Sequence, residues 1–207
     1  MRYIFYIIFI CINFSCLNVK TTKITDCTTE YLTYYNYDGA TILNEIKYIP
    51  NLKKIDDKSF NSYLENGVDF EEIKQHQIIF LSRGKFFNSS NLKGNIPLYI
   101  IGYFQNNTIK QYLVLEPDLG QNLHLYIINE VKDKSTSMFL AHSNYNAGFG
   151  SESVETKRLS NYIFQIRVYY TFDTTDIKRN SFGKCNSVLR LSTEGYLKPT
   201  TDAISDK

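Results

Sequence analysis

Between Tyr162 and Phe172 the residues Tyr162, Phe164, Ile166, Val168, Tyr170 and Phe172 alternate with Gln165, Arg167 and Thr171. A period of two over that length marks a β-strand with one covered face, and commits the fold to a layer that covers it. The composition agrees: 17 Tyr and 14 Phe, no Trp and only four Pro favour flat rings on a pleated surface. At 43% hydrophobic the chain can offset the entropy of ordering, which excludes a largely disordered protein.

Ile78 to Leu81, Leu98 to Phe104, Ile109 to Leu115, Leu123 to Val131, Ser137 to His142 and Ser187 to Leu191 read as further strands. Arg83-Gly84-Lys85, Asn106-Asn107, Lys132-Asp133-Lys134 and Glu194-Gly195 read as turns. Gly102 marks a bulge or crossing point. Connections this short join antiparallel neighbours, since a parallel crossover needs a dozen or more residues. Leu98 to Phe104 is apolar on both faces, so helices, a second layer or barrel closure must cover each side.

Upstream of Ile73 the spacing turns helical. Phe60, Tyr63 and Leu64 share a face, with Asp57 as N-cap and Asn66-Gly67 as stop, and Asp69 with Glu72 resembles a capping box. Ile42, Leu43, Ile46 and Ile49 fit helix or strand up to Pro50. The expected fold is mainly β, an antiparallel meander forming a sandwich or open barrel, with one to three short N-terminal helices. Residues 27–198 form a single β-rich domain and 199–207 a disordered tail.

The opening carries Arg2 and then an apolar run to Ile12, too short for the roughly 20 residues that span a bilayer and suited to a signal peptide over residues 1–15. The run ends in Asn13-Phe14-Ser15-Cys16. This resembles the signal of bacterial lipoproteins, in which a small residue precedes the cysteine that is acylated. Ser15 and Cys16 match that pattern; Asn13 departs from it, where an aliphatic residue is usual. The resemblance implies a lipid on Cys16, with residues 16–26 as anchor and tether, and acyl chains contributing about 0.8 kcal/mol per buried CH₂. Soluble secretion is the rival reading. The stretches Ile101-Gly102-Tyr103-Phe104, Tyr112-Leu113-Val114, Asn144 to Ser151 and Glu194-Gly195-Tyr196-Leu197 are similar to small Asn-, Lys- and Ile-rich bacterial lipoproteins of uncharacterised function. That family supplies no catalytic residues to carry over.

Of four cysteines, Cys11 leaves with the signal and Cys16 is modified, which leaves Cys27 and Cys185 as an even pair in an oxidising compartment. A disulfide between them is expected. No Cys-x-x-Cys occurs and His76, His124 and His142 lack metal-ligand spacing, so neither metal nor cofactor is expected. The 23 Lys plus Arg nearly balance 21 Asp plus Glu, which excludes a strongly basic nucleic-acid binder. Loss of residues 1–15 removes only Arg2 and leaves 22 cations against 21 anions.

The loop Asn144 to Ser151 sets Tyr145 and Phe149 beside Gly148 and Gly150, where they can serve as aromatic anchors for a partner. Gly-Phe-Gly lacks the continuation of a phosphate loop. His124 and His142 come within reach of carboxylates such as Glu116, Asp118 or Glu130 only if the fold brings them together, and no motif orients them. The leading expectation is an exported, lipid-anchored envelope protein that binds a protein, glycan or lipid without catalysis. The alternatives are a small envelope hydrolase using His124 or His142 with an acidic partner, and an immunity or inhibitor protein against a secreted toxin.

Overall fold

A computed structural model describes residues 25–37, 39–86, 91–107, 109–117, 122–132, 134–147, 150–172 and 184–200. Cys16, Phe149, Asp118 and the expected signal segment lie outside the described residues. The chain is mainly β, as expected. It opens with β1 (Thr25–Asp26), α1 (Thr28–Tyr35), β2 (Asn36–Tyr37), α2 (Ala40–Ile46), α3 (Asp57–Asn66), α4 (Phe70–Ile73), β3 (Gln77–Ser82) and α5 (Arg83–Phe86). It continues with strands alone: β4 (Asn95–Asn106), β5 (Ile109–Pro117), β6 (Leu123–Val131), β7 (Lys134–Ala147), β8 (Gly150–Ser160), β9 (Ile163–Phe172), β10 (Lys184–Leu191) and β11 (Leu197–Pro199).

Strands β3 to β10 form one open antiparallel meander in chain order, with β1 added in parallel and β11 in antiparallel orientation on β10. Among the described residues the strands form one open sheet, neither a closed barrel nor two separate sheets. Instead the sheet divides: β7 pairs with β8 only from Ser143 to Ala147, while its earlier residues Met138 and Phe139 pair with β2. α3 touches both β7 and β8 past the point where they part.

Residues directly opposite on neighbouring strands point to the same face. One face of the meander carries Leu113, Ile127 and Phe139 in a row. α3 and the β8–β10 wing cover it, with Phe60 stacked 4.6 Å from Phe104 and Phe139 5.6 Å from Phe164. The other face carries Val114, Tyr126 and Leu140, against which Tyr37 and Phe86 set ring edges at 6.2 and 5.5 Å. Coverage on both sides explains why β5 and β6 are buried along most of their length.

Local chemistry sets the details. The Asp56 carboxylate accepts from the Ser59 amide at 2.8 Å and caps α3, so Asp57, expected as the cap, is instead the first helical residue and pairs with Arg158. Gly67 ends that helix at φ +72°. Ala40–Ile46 resolves to helix, burying Ile42, Leu43 and Ile46. Asn107 and Lys132 turn their hairpins at φ 49° and 52°. At Gly102 the β4–β5 register slips by one residue, the bulge its position suggested. Ahead of residue 27, Thr25 and Asp26 pair in parallel with Cys185 and Asn186. The fold also runs past Leu197, since Pro199 pairs with Leu189 and the Thr200 amide donates to the Val188 carbonyl.

Candidate functional site

Cys27 and Cys185 form a disulfide with Cα atoms 5.5 Å apart. The Ser187 hydroxyl donates to the Cys27 sulfur at 3.2 Å, and both cysteines are buried. The bond joins the start of the described chain to β10 beside the β1 pairing.

On the face that carries Tyr126, three strands place Glu116, His124 and Ser143 directly opposite one another in a row. Tyr126 donates its phenol to Glu116 Oε2 at 3.0 Å. Burial, then the Glu116 charge, hold the Tyr126 phenol well above its ordinary pKa, so it stays protonated as the donor. Tyr37 is also raised, first by burial and then by Glu116 and Glu152. His124 stacks 6.5 Å from Tyr126 and meets the edge of Tyr145 at 6.4 Å, with Glu152 opposite Tyr145 on β8. Tyr145, expected as an anchor, is thus half-buried in this cluster. Carboxylate, imidazole and hydroxyl are the groups of acyl transfer, but Ser143 is fully buried and its hydroxyl has no hydrogen-bond partner. The row lacks the nucleophile–base bond that activates a serine.

His142 faces the opposite side of the sheet from His124, in line with Leu125 and Leu115. Its ring lies against Gly67, where an added Cβ would stand 2.6 Å from Cδ2, and it hydrogen-bonds to the backbone of Leu64 at the end of α3. Burial pushes its pKa below the ordinary value. A cavity of about 240 Å³ adjoins it, lined by Val68, Leu115, Leu123, Leu125, Asn66 and Asn144. The two histidines therefore cannot act together. Glu130 belongs to neither: it pairs with Lys47 at 3.0 Å and accepts from the Tyr112 phenol at 2.7 Å. Among the described residues no three His, Cys, Asp or Glu converge on a metal position.

A third surface is the sheet edge at β3. Ile78 and Phe80, opposite Tyr99 and Pro97, are 46% and 70% exposed, and among the described residues no strand pairs with the outer side of β3. The outward face of β8–β10, by contrast, is polar, with Glu155 opposite Arg167 and Lys157 opposite Gln165. Sequence reasoning missed Ser143 and the β3 edge. The first depends on register, and the second on which end of the meander is left open.

No family model matches the chain, and no curated protein or solved structure is similar to it at a significant level.

Proposed function

We propose that the chain is an exported bacterial envelope protein, joined to a membrane by lipid on Cys16, that acts by contact with an envelope partner rather than by catalysis. The Cys27–Cys185 disulfide is the observation that carries this reading. Such bonds persist in oxidising compartments. This one also ties the residue that follows β1 to β10, so that a pull on the segment from Cys16 to Asp26 passes into β10 through a covalent bond as well as through the β1 ladder. A domain held at its N-terminus needs that reinforcement. The partner surface on this reading is the rim around Tyr145 and the loop that follows it.

The test is the intact mass of the membrane-extracted protein beside a Cys16→Ser variant, before and after reduction and alkylation. An acylated chain beginning at Cys16, with two thiols that appear only on reduction, is the expected result. An unmodified chain that begins elsewhere overturns the anchor.

The Glu116–His124–Ser143 row supports a second reading, an envelope hydrolase. It requires Ser143 to become accessible and to meet His124 within hydrogen-bond reach. Hydrolysis of small esters that His124→Ala and Ser143→Ala both abolish, with the fold intact, would establish it over the contact reading.

A further inference from the structure

We infer that two copies of this chain associate through the β3 edge, antiparallel about a two-fold axis, to continue the sheet from one molecule into the other. The inference does not depend on the lipid anchor. It starts from an edge that lacks the usual protections. β3 has no lysine, proline or bulge within Gln77–Ser82, and its exposed apolar side chains are Ile78 and Phe80 on one face, with Gln77 exposed on the other. An edge of that kind is a template for another strand. Lipid is a poor cover for it, because hydrocarbon supplies no partners for the outer amides and carbonyls.

The strand is complementary to itself. With Ile79 on the two-fold axis, Ile78 of each copy lies opposite Phe80 of the other on the same face, which gives two aliphatic–aromatic cross-strand pairs. Pro97 and Tyr99, beside them on β4, extend that apolar strip.

The ends complement one another as well. No Asp or Glu occurs between Glu72 and Glu116, a stretch that includes Arg83, Lys85 and Lys93. All three cations are exposed at the C-terminal end of β3 or on the hairpin beside it, where the Arg83 amide donates to the Gly94 carbonyl at 2.9 Å. The N-terminal end follows α4, which exposes Glu71, paired with Lys74 at 2.8 Å, beside the exposed Asp69. Antiparallel pairing brings Arg83 and Lys85 of each copy towards Asp69, Glu71 and Glu72 of the other, twice, with Lys74 among those carboxylates. A two-fold contact of this sort is closed and yields a dimer rather than a fibre.

Sedimentation equilibrium of the exported chain carrying Cys16→Ser, from about 1 to 200 µM, tests the inference in the range expected for a small interface. A monomer–dimer equilibrium is expected, and Phe80→Lys should weaken it at least tenfold. Phe80 is mostly exposed, so this variant keeps its fold, which circular dichroism checks. Arg83→Glu and Glu71→Lys should each weaken it roughly three- to tenfold, and the double variant should recover most of that loss because each contact is rebuilt with its charges reversed. A monomer throughout overturns the inference. So does a dimer that Phe80→Lys leaves unchanged, or a double variant weaker than both singles. A monomer that binds vesicles of phosphatidylcholine and phosphatidylglycerol through Phe80 assigns the edge to the membrane instead.

Discussion

Gly102 shows how far one residue can determine the local path of the chain. Its φ of +153° and a Cβ position 2.5 Å from the Lys53 carbonyl oxygen leave no room for a side chain. That carbonyl accepts from the Tyr103 amide at 2.9 Å, and the Ile55 amide donates to the Tyr103 carbonyl at 2.8 Å, so the segment before α3 is laced to β4. Gly102→Ala should therefore cost about 3 kcal/mol in urea melts, well above an ordinary surface change. His142 gives a pH effect. Burial lowers its folded pKa, with the Leu64 backbone bond and Glu155 opposing in part, so the folded ring stays neutral while the unfolded ring takes a proton below about pH 6.5. The unfolded state then binds more protons, and stability falls as the solution is acidified from that pH towards the folded pKa. His76, lowered mainly by burial, adds to the same slope. Melts at pH 7.5 and 5.5 should show the loss, and His142→Leu should make it shallower; an equal slope in the variant would refute the assignment.

At the scale of elements, a buried polar chain crosses three strands. The Gln111 amide donates to Asn129 at 2.8 Å, the Asn129 amide to Ser137 at 2.9 Å, and the Ser137 hydroxyl to the Gly195 carbonyl at 2.6 Å. It ties β5, β6 and β7 to the turn between β10 and β11, and every side chain in it is buried. Asn129→Ala strands a donor on Gln111 and opens a void, so a cost of about 2–4 kcal/mol is expected. Gln111→Leu combined with Asn129→Leu should cost less than the two single changes added, since neither leaves the other unsatisfied; thermal melts of the four proteins decide it. The same strands show what sequence can disclose. β6 was legible from Leu123 to Val131 because Leu123, Leu125 and Ile127 alternate along one face of a run bounded by turn residues. β8 was not, because Val154 is its one fully buried apolar residue and Glu152, Glu155, Lys157 and Arg158 give it the composition of a loop. Asp56 and Asp57 are alike in sequence, so which of them caps α3 is decided by backbone geometry alone.

At the scale of the molecule, the mainly β fold followed from periodicity, while the division of the sheet at β7 did not. That division depends on two register shifts between β6 and β7 and on β2 taking the place beside Met138 and Phe139. The shift between Leu125 and Tyr126 puts Ser143 rather than His142 opposite His124, so the two histidines face opposite sides and Ser143 comes into line with Glu116. Cysteine arithmetic, by contrast, could foresee a bond across the whole fold, because it needs parity and compartment rather than geometry. Cys27 and Cys185 are 158 residues apart in sequence, so their bond closes nearly all of the described chain into one loop. In the chain-entropy model a loop of that length is worth roughly 5 kcal/mol, an upper value for a folded state that already holds β1 against β10. Replacing both cysteines with alanine should lower stability by up to about that amount. The effect should also have a place. Hydrogen exchange should quicken first at Asn186 and at Cys27, whose amide donates to the Asn186 carbonyl, before the β4–β7 core responds. A uniform rise across the sheet would mean that the bond acts on the unfolded chain alone and does not hold the N-terminal strand in place.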